Sequence, residues 1–169
     1  MKNEQLKVGF VYDLTLEDRD GRILDKWTEK NLIPQAELAI MLRAAFGEAT
    51  PFGLLYIGLY GNNTLPSSAS TAADIPTVLG EFTQYTQADR PLWQRTFDGD
   101  GSYSNNTNKA EFTFQVDKLI HGLFMSSVPE KASGGGRLVS VAKLNTPRLI
   151  YAGTTLKVAA SITYLTNSN

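Results

Sequence analysis

From Lys7 to Glu17 every second residue is large and apolar. Val8, Phe10, Tyr12, Leu14 and Leu16 share one parity; Gly9, Val11, Asp13, Thr15 and Glu17 hold the other. Side chains alternate across a strand, so this spacing predicts a strand with one buried face. The pattern returns at Ala110–Val116, at Arg137–Leu144 and at Thr155–Leu165, where Leu156, Val158, Ala160, Ile162 and Tyr164 fall on one side. A chain that repeats period two between clusters of Gly, Asp and Asn can bury such faces only by packing sheet on sheet. Roughly eight to ten strands at this spacing predict a mainly β fold: an antiparallel β-sandwich or jelly-roll-like domain, or a barrel. At 169 residues one domain, 1–169, is expected, large enough to bury about 70% of its unfolded surface.

One stretch breaks the pattern, Lys26 to Tyr60. Pro34 suits the start of a helix, and from Gln35 to Phe46 only Gln35, Glu37 and Arg43 interrupt an apolar run. A helix so apolar should be covered on most sides, which predicts one buried α-helix at about 34–46, ended by Gly47 in a left-handed cap. Leu54–Tyr60, bounded by Gly53 and Gly61, is continuously apolar, as in a strand covered on both faces. Gly58 inside it predicts a bulge or the close approach of another backbone. Both elements are scaffold, the framework that the sheets pack against. Asn62–Thr77 is small and polar, with Leu65 and Ile75 its only large apolar residues. It is expected to form an extended arm or loop, with Leu65 and Ile75 as candidate anchors on a partner.

Between these landmarks the remaining elements follow from local signals. Asp18–Gly21 turns the first strand back into Arg22–Thr28, with Asp20-Gly21 suited to a type I′ hairpin and Ile23, Leu24 and Trp27 as candidates for burial. Strand is expected to resume at Thr77–Tyr85 and again at Pro91–Phe97, and Leu119–Ser126 is a strongly apolar strand. Asn145-Thr146-Pro147 should interrupt the strand that begins at Arg137, and Ala152-Gly153-Thr154 marks the last turn. Asp18/Asp20 and Asp98/Asp100 suggest calcium loops only superficially. The first lacks the Glu that an EF-hand needs six residues after the Gly, and the second does not recur in tandem.

The inventory of chemistry is short. Without cysteine there are no disulfides and no thiolate metal sites, and no metal or cofactor is expected. His121 is the only histidine and sits mid-strand, and no GxSxG elbow accompanies it. Gly134-Gly135-Gly136 is not a phosphate loop, because neither GxxxxGK[ST] nor GxGxxG is present. The carboxylates fall mostly in turns or on solvent faces, and the aromatics recur at strand spacing, as core residues do. A formal net charge of −1 with mixed signs provides no footprint for nucleic acid or an anionic membrane. No stretch approaches the roughly 20 apolar residues of a membrane helix. Met1–Asp18 has no apolar run suited to a signal peptide, so a soluble protein made inside the cell is expected, in a host cytoplasm if the resemblance given below holds.

Several segments taken together carry a resemblance. They are WTEKNLIP (Trp27–Pro34), the apolar helix, LYIGLY (Leu55–Tyr60), EFTxY (Glu81–Tyr85), RPxW (Arg90–Trp93), AEFTF (Ala110–Phe114) and PRxxxAG (Pro147–Gly153). Across most of the chain from Trp27 the pattern resembles small virion proteins of tailed bacteriophages, of the kind described as head decoration or cement proteins. The resemblance implies a non-enzymatic protein on the capsid surface of a virion, bound to the major capsid protein and bridging coat subunits. It also implies a homo-oligomer around local symmetry axes, a trimer being one such state. Two alternatives stay open: a tail, neck or fibre-base component of the same virion, and a β-sandwich carbohydrate-binding module or glycosidase using Trp93 and surface tyrosines.

Overall fold

The structure, a computed structural model, describes residues 8–99 and 101–163, the side chain of Thr163 excepted. Of the residues named above, Met1, Lys7, Asp100, Tyr164 and Leu165 lie outside the described residues. In chain order the described residues form β1 (Phe10–Glu17), β2 (Ile23–Lys30), α1 (Gln35–Ala45), β3 (Tyr56–Tyr60) and β4 (Glu81–Phe82). There follow β5 (Thr96–Phe97), β6 (Ser102–Ser104), β7 (Ala110–Thr113), β8 (Lys118–Ser126), β9 (Leu138–Ile150) and β10 (Thr155–Thr163). The fold is mainly β, as the alternation predicts, and every strand pair is antiparallel.

Two sheets form. The first runs β2-β1-β10-β6-β5, with β7 also paired to β10, and the second runs β4-β3-β8-β9. Their facing sides merge into one apolar core. Tyr12 and Leu14 of β1 and Leu156 and Val158 of β10 meet Ile57, Leu59, Leu123 and Met125 of β3 and β8. The even parity of β1 and the Leu156–Ile162 parity of β10 are therefore inward, as expected.

The second sheet is apolar on its outer side too. Tyr60, Phe124, Leu138 and Val141 point away from the first sheet and are covered by Ala72, Ile75 and Leu79. This is why LYIGLY and LIHGLFMS are apolar runs rather than alternating ones. Glycine is required twice on that side. Gly58 stands opposite Phe124 and Gly122 opposite Tyr60, and a Cβ at either glycine would lie 2.1 Å from the partner's ring. Each ring lies flat over a residue with no side chain, the close approach expected at Gly58.

Asn62–Thr71 is loop, one of the two forms expected, but the segment to Thr77 does not extend as an arm. It leads into a 3₁₀ turn at Ala72–Asp74 and a π-helical turn at Ile75–Leu79, closed by left-handed Gly80. Those turns lie on the second sheet, so the strand expected from Thr77 begins only at Glu81.

A buried ion pair holds the neighbouring loops to this sheet. The Arg90 guanidinium donates two parallel bonds to Glu81, both 2.8 Å, and neither side chain is exposed. The same guanidinium donates to Ser126 Oγ and to the carbonyls of Val128 and Ser133, while Glu81 also accepts from the Ala132 amide. Asn105 plays a comparable part in the first sheet. Its side-chain oxygen accepts from Ala160 N–H at 2.6 Å and its amide donates to the Val158 carbonyl at 3.2 Å. It fills the stretch of the β10 edge between the segments paired with β6 and β7.

Other boundaries differ from expectation for local reasons. The β1–β2 turn is not type I′, because only Gly21 has a positive φ; Asp18 closes the turn by accepting the amides of Asp20 and Arg22. β2 is an edge strand, so Ile23 and Leu24 are exposed and only Trp27 packs on the core. Asn145-Thr146-Pro147 does not end its strand. β9 continues to Ile150 through a bulge where the register jumps between Ile120/Arg148 and Gly122/Lys143, a position that tolerates a residue with no N–H. The helix departs most. In α1 only Glu37 is buried, so the helix is not buried; it lies on the surface with Leu42 63% and Phe46 76% exposed.

Three stability measurements follow from these contacts. Gly58→Ala and Gly122→Ala should each destabilise the protein by about 1–3 kcal/mol through overpacking, read as a lower urea midpoint. Glu81→Ala leaves the Arg90 guanidinium buried and unpaired and should lose about 3–5 kcal/mol, much of it recovered in a Glu81→Leu/Arg90→Met double variant. Asn105→Ala strands the Ala160 amide and the Val158 carbonyl, and calorimetry should show a loss of about 1–3 kcal/mol.

Candidate functional site

α1 forms for reasons the sequence displays. Pro34 precedes its first turn, and its carbonyl accepts the amides of Glu37 and Leu38. At the other end Gly47 at φ 74° donates to the Ala44 carbonyl and Glu48 to that of Arg43, the paired bonds of a glycine cap. The attachment of α1 to the body is slight. The Gln35 amide donates to the Ser68 carbonyl, Glu37 meets Arg137 at 3.4 Å, and Met41 packs on the core. Leu38, Leu42 and Ala45, at spacings of four and three, face outward. With Gln35, Ala39, Met41 and Val8 they line an open, mostly apolar groove; Phe46, at the end of the helix, is also exposed.

A second apolar surface lies elsewhere. Leu119 of β8 and Leu149 of β9 are cross-strand partners, so their side chains share a face, and both are exposed, as is Tyr151. Leu119 is near the start of β8, whereas α1 abuts Ser127 and Arg137 just beyond its end. The strand between them spans roughly 23 Å at about 3.3 Å per residue. Two exposed apolar surfaces thus stand toward opposite ends of one sheet.

The two residues singled out as anchors part company. Leu65 is 78% exposed and free to meet a partner. Ile75 is 0% exposed and belongs to the cluster under the second sheet, so it is a core residue and not an anchor. Its burial follows from the π-helical turn, which periodicity in so short and polar a segment does not announce.

Residues with chemical capacity are built into the framework. Trp93 is buried, with Phe10 edge-on to its ring, Arg95 over it, and its indole N–H donated to the Ala160 carbonyl; it offers no stacking face to a sugar. His121 is buried beside the β9 bulge, with Nδ1 meeting no partner among the described residues. The Tyr12 hydroxyl shares a 2.5 Å bond with Ser140, which also accepts from Asn31, and burial raises the Tyr12 phenol above its usual range. Burial likewise raises Tyr60 and Tyr85, and it raises the Glu29 carboxyl, although Asn145 donates two bonds to it. Burial lowers Lys131, whose ammonium donates to the carbonyls of Thr83 and Tyr85 and lies 3.8 Å from the Tyr85 ring centre. Among the described residues no three His, Asp or Glu side chains converge as a metal site would require. No helix among them is long and apolar enough to cross a membrane.

The surface of α1 is what reading by sequence missed, although its signal was present. An all-apolar helix demands cover, and periodicity cannot say whether the cover comes from the same chain. Comparison of the chain with protein-family models, with curated proteins and with solved structures found no match.

Proposed function

We propose that the protein is a structural component of a tailed-bacteriophage virion, binding the outside of the capsid as a homo-oligomer and bridging coat subunits without catalysing a reaction. The observation that carries the proposal is the pair of exposed apolar surfaces set toward opposite ends of one rigid sheet. A bridge needs two contact surfaces held at a constant distance, and a β-sandwich holds them so. The resemblance to decoration proteins over most of the chain from Trp27 supplies the partner. The Leu119/Leu149/Tyr151 surface, with Leu65 as a further contact, is assigned to the major capsid protein. A protein that binds the assembled lattice but not separated subunits adds its binding free energy to shell stability by linkage, and many modest contacts repeated over a shell suffice.

The test is co-sedimentation of the purified protein with undecorated shells of a tailed phage. Binding with a rise in shell melting temperature is expected, and a Leu119→Ser/Leu149→Ser variant should bind at least about tenfold more weakly, since each exposed leucine contributes on the order of 1.5 kcal/mol when covered. Absence of binding by the wild type would overturn the proposal. Immunogold label confined to the tail would move the protein there.

A further inference from the structure

We infer that the cleft between β7 and residues 91–94 is a strand-accepting site, filled by residues 164–169 of a neighbouring copy of this chain. This deepens the homo-oligomer proposed above by naming the segment that links the copies, and it rests on that reading only for the shell as the setting.

The cleft is an open seam between the two sheets. On the opposite side of the sandwich β2 and β9 close theirs, with two main-chain bonds between Leu32 and Val141 and two bonds from Asn145 to the Glu29 carboxyl. Here closure stops partway. Thr86 donates to the Thr113 carbonyl and Gln115 to that of Gln84. Beyond them residues 91–94 and 107–111 stand apart around a cleft of about 440 Å³.

Both banks of the cleft carry unused main chain. Thr113 turns its N–H and C=O away from β10, to Gln87 and Thr86, whereas Phe114 turns its own to Thr154 and Gly153. Main-chain groups alternate in direction along a strand, so Glu111 also points its pair away from β10. On the other bank the Ile57 amide donates to the Pro91 carbonyl and the Trp93 amide to that of Leu55, so the N–H and C=O of Leu92 face away from β3. None of these four groups has a partner among the described residues, and both Leu92 and Glu111 line the cleft. An extended segment offers donors and acceptors along both of its edges, which is what two such banks require.

Reach and charge select the segment. β10 is described to Thr163, paired with Ser102, whereas the cleft lies level with Lys157, the partner of Glu111. The way back is six residues along β10 and two strand spacings across, roughly 22 Å at about 3.4 Å per residue and 4.8 Å per strand. Residues 164–169 extend no further than roughly 21 Å, so they cannot lie along the cleft of their own copy. Residues 1–7 start from β1, on the far side of β10 from β7, and carry charges at Lys2, Glu4 and Lys7. Residues 164–169 read YLTNSN and carry none. They suit a cleft where Lys109 and Glu111 cancel and the remaining polar side chains are amides and a hydroxyl, among them Gln87, Gln94 and Asn108. Each copy then gives one strand and takes one, and such head-to-tail contacts close a ring when the rotation between copies allows.

Sedimentation equilibrium of the full chain and of a chain ended at Thr163 tests the inference. The full chain should associate in the micromolar range, and the shortened chain at least about 100-fold more weakly. Glu111→Pro removes an N–H that faces the cleft and none that pairs with β10, so it should weaken association about tenfold. A third measurement uses the wild type and so does not depend on the folding of either variant. A synthetic peptide of residues 163–169, added in excess, should dissociate the oligomer while the amides of Leu92 and Glu111 stay protected from hydrogen exchange. A wild type that is monomeric at all concentrations overturns the inference. So does an oligomer that survives the loss of residues 164–169 or is indifferent to Glu111→Pro, and so does a peptide that leaves those two amides exchanging freely. Dissociation on removal of residues 1–7 alone would give the cleft to that segment, again overturning it. Failure of the wild type to bind shells bears on the proposed function alone.

Discussion

A sheet that is apolar on both faces cannot stand in water, and the rest of this structure answers that constraint. β3 and β8 place Ile57, Leu59, Leu123 and Met125 on one side and Tyr60 and Phe124 on the other. The first sheet covers the inner side. The outer side is covered by the turns at Ala72–Leu79, which explains why a small polar segment folds back rather than extending from the body. Full burial of both faces stabilises the fold by a few kcal/mol for each large side chain, the dominant favourable contribution.

Covering a sheet with loops brings polar backbone inside, and the structure meets that demand with a few side chains placed where a strand would otherwise be needed. Arg90 and Glu81 join β4 to Ser126, Val128, Ala132 and Ser133, so the loop after β8 is held by charge-assisted bonds. Asn105 completes the β10 edge between two short strands by presenting an amide in place of a backbone peptide. Glu29 serves the β9 bulge by accepting both the backbone and side-chain N–H of Asn145. Each of these buried polar groups secures a place where regular pairing stops.

What the chain leaves uncovered is then informative. After both sheet faces are buried, large apolar residues remain exposed at several places, α1 and Leu119/Leu149/Tyr151 among them. In the proposed function these surfaces are where the protein meets other macromolecules. They stand at different places on one stiff framework, which suits a part that links neighbours in an assembly.

Much of this was legible in the sequence. The alternation at Phe10–Glu17, Ala110–Phe114 and Leu156–Ile162 determined the strands and their buried sides, because period two has one physical meaning. The unbroken apolar run at Leu55–Tyr60 determined that its sheet is covered twice, and Gly58 that a ring must come close. Other features were decided only by tertiary structure. No local signal distinguishes Ile75, which is core, from Leu65, which is surface, because their difference depends on a turn that packs against residues distant in the chain. Asn105, Glu81 and Arg90 look like ordinary loop polar residues until their partners, up to 55 residues away, are in place. The helix shows the division most plainly: sequence determined that α1 is apolar nearly all round and so requires cover, and tertiary packing decided that the described chain does not provide it. The physical reason is that the hydrophobic effect is non-directional. It sets how much surface must leave water, and only the assembled geometry sets against what.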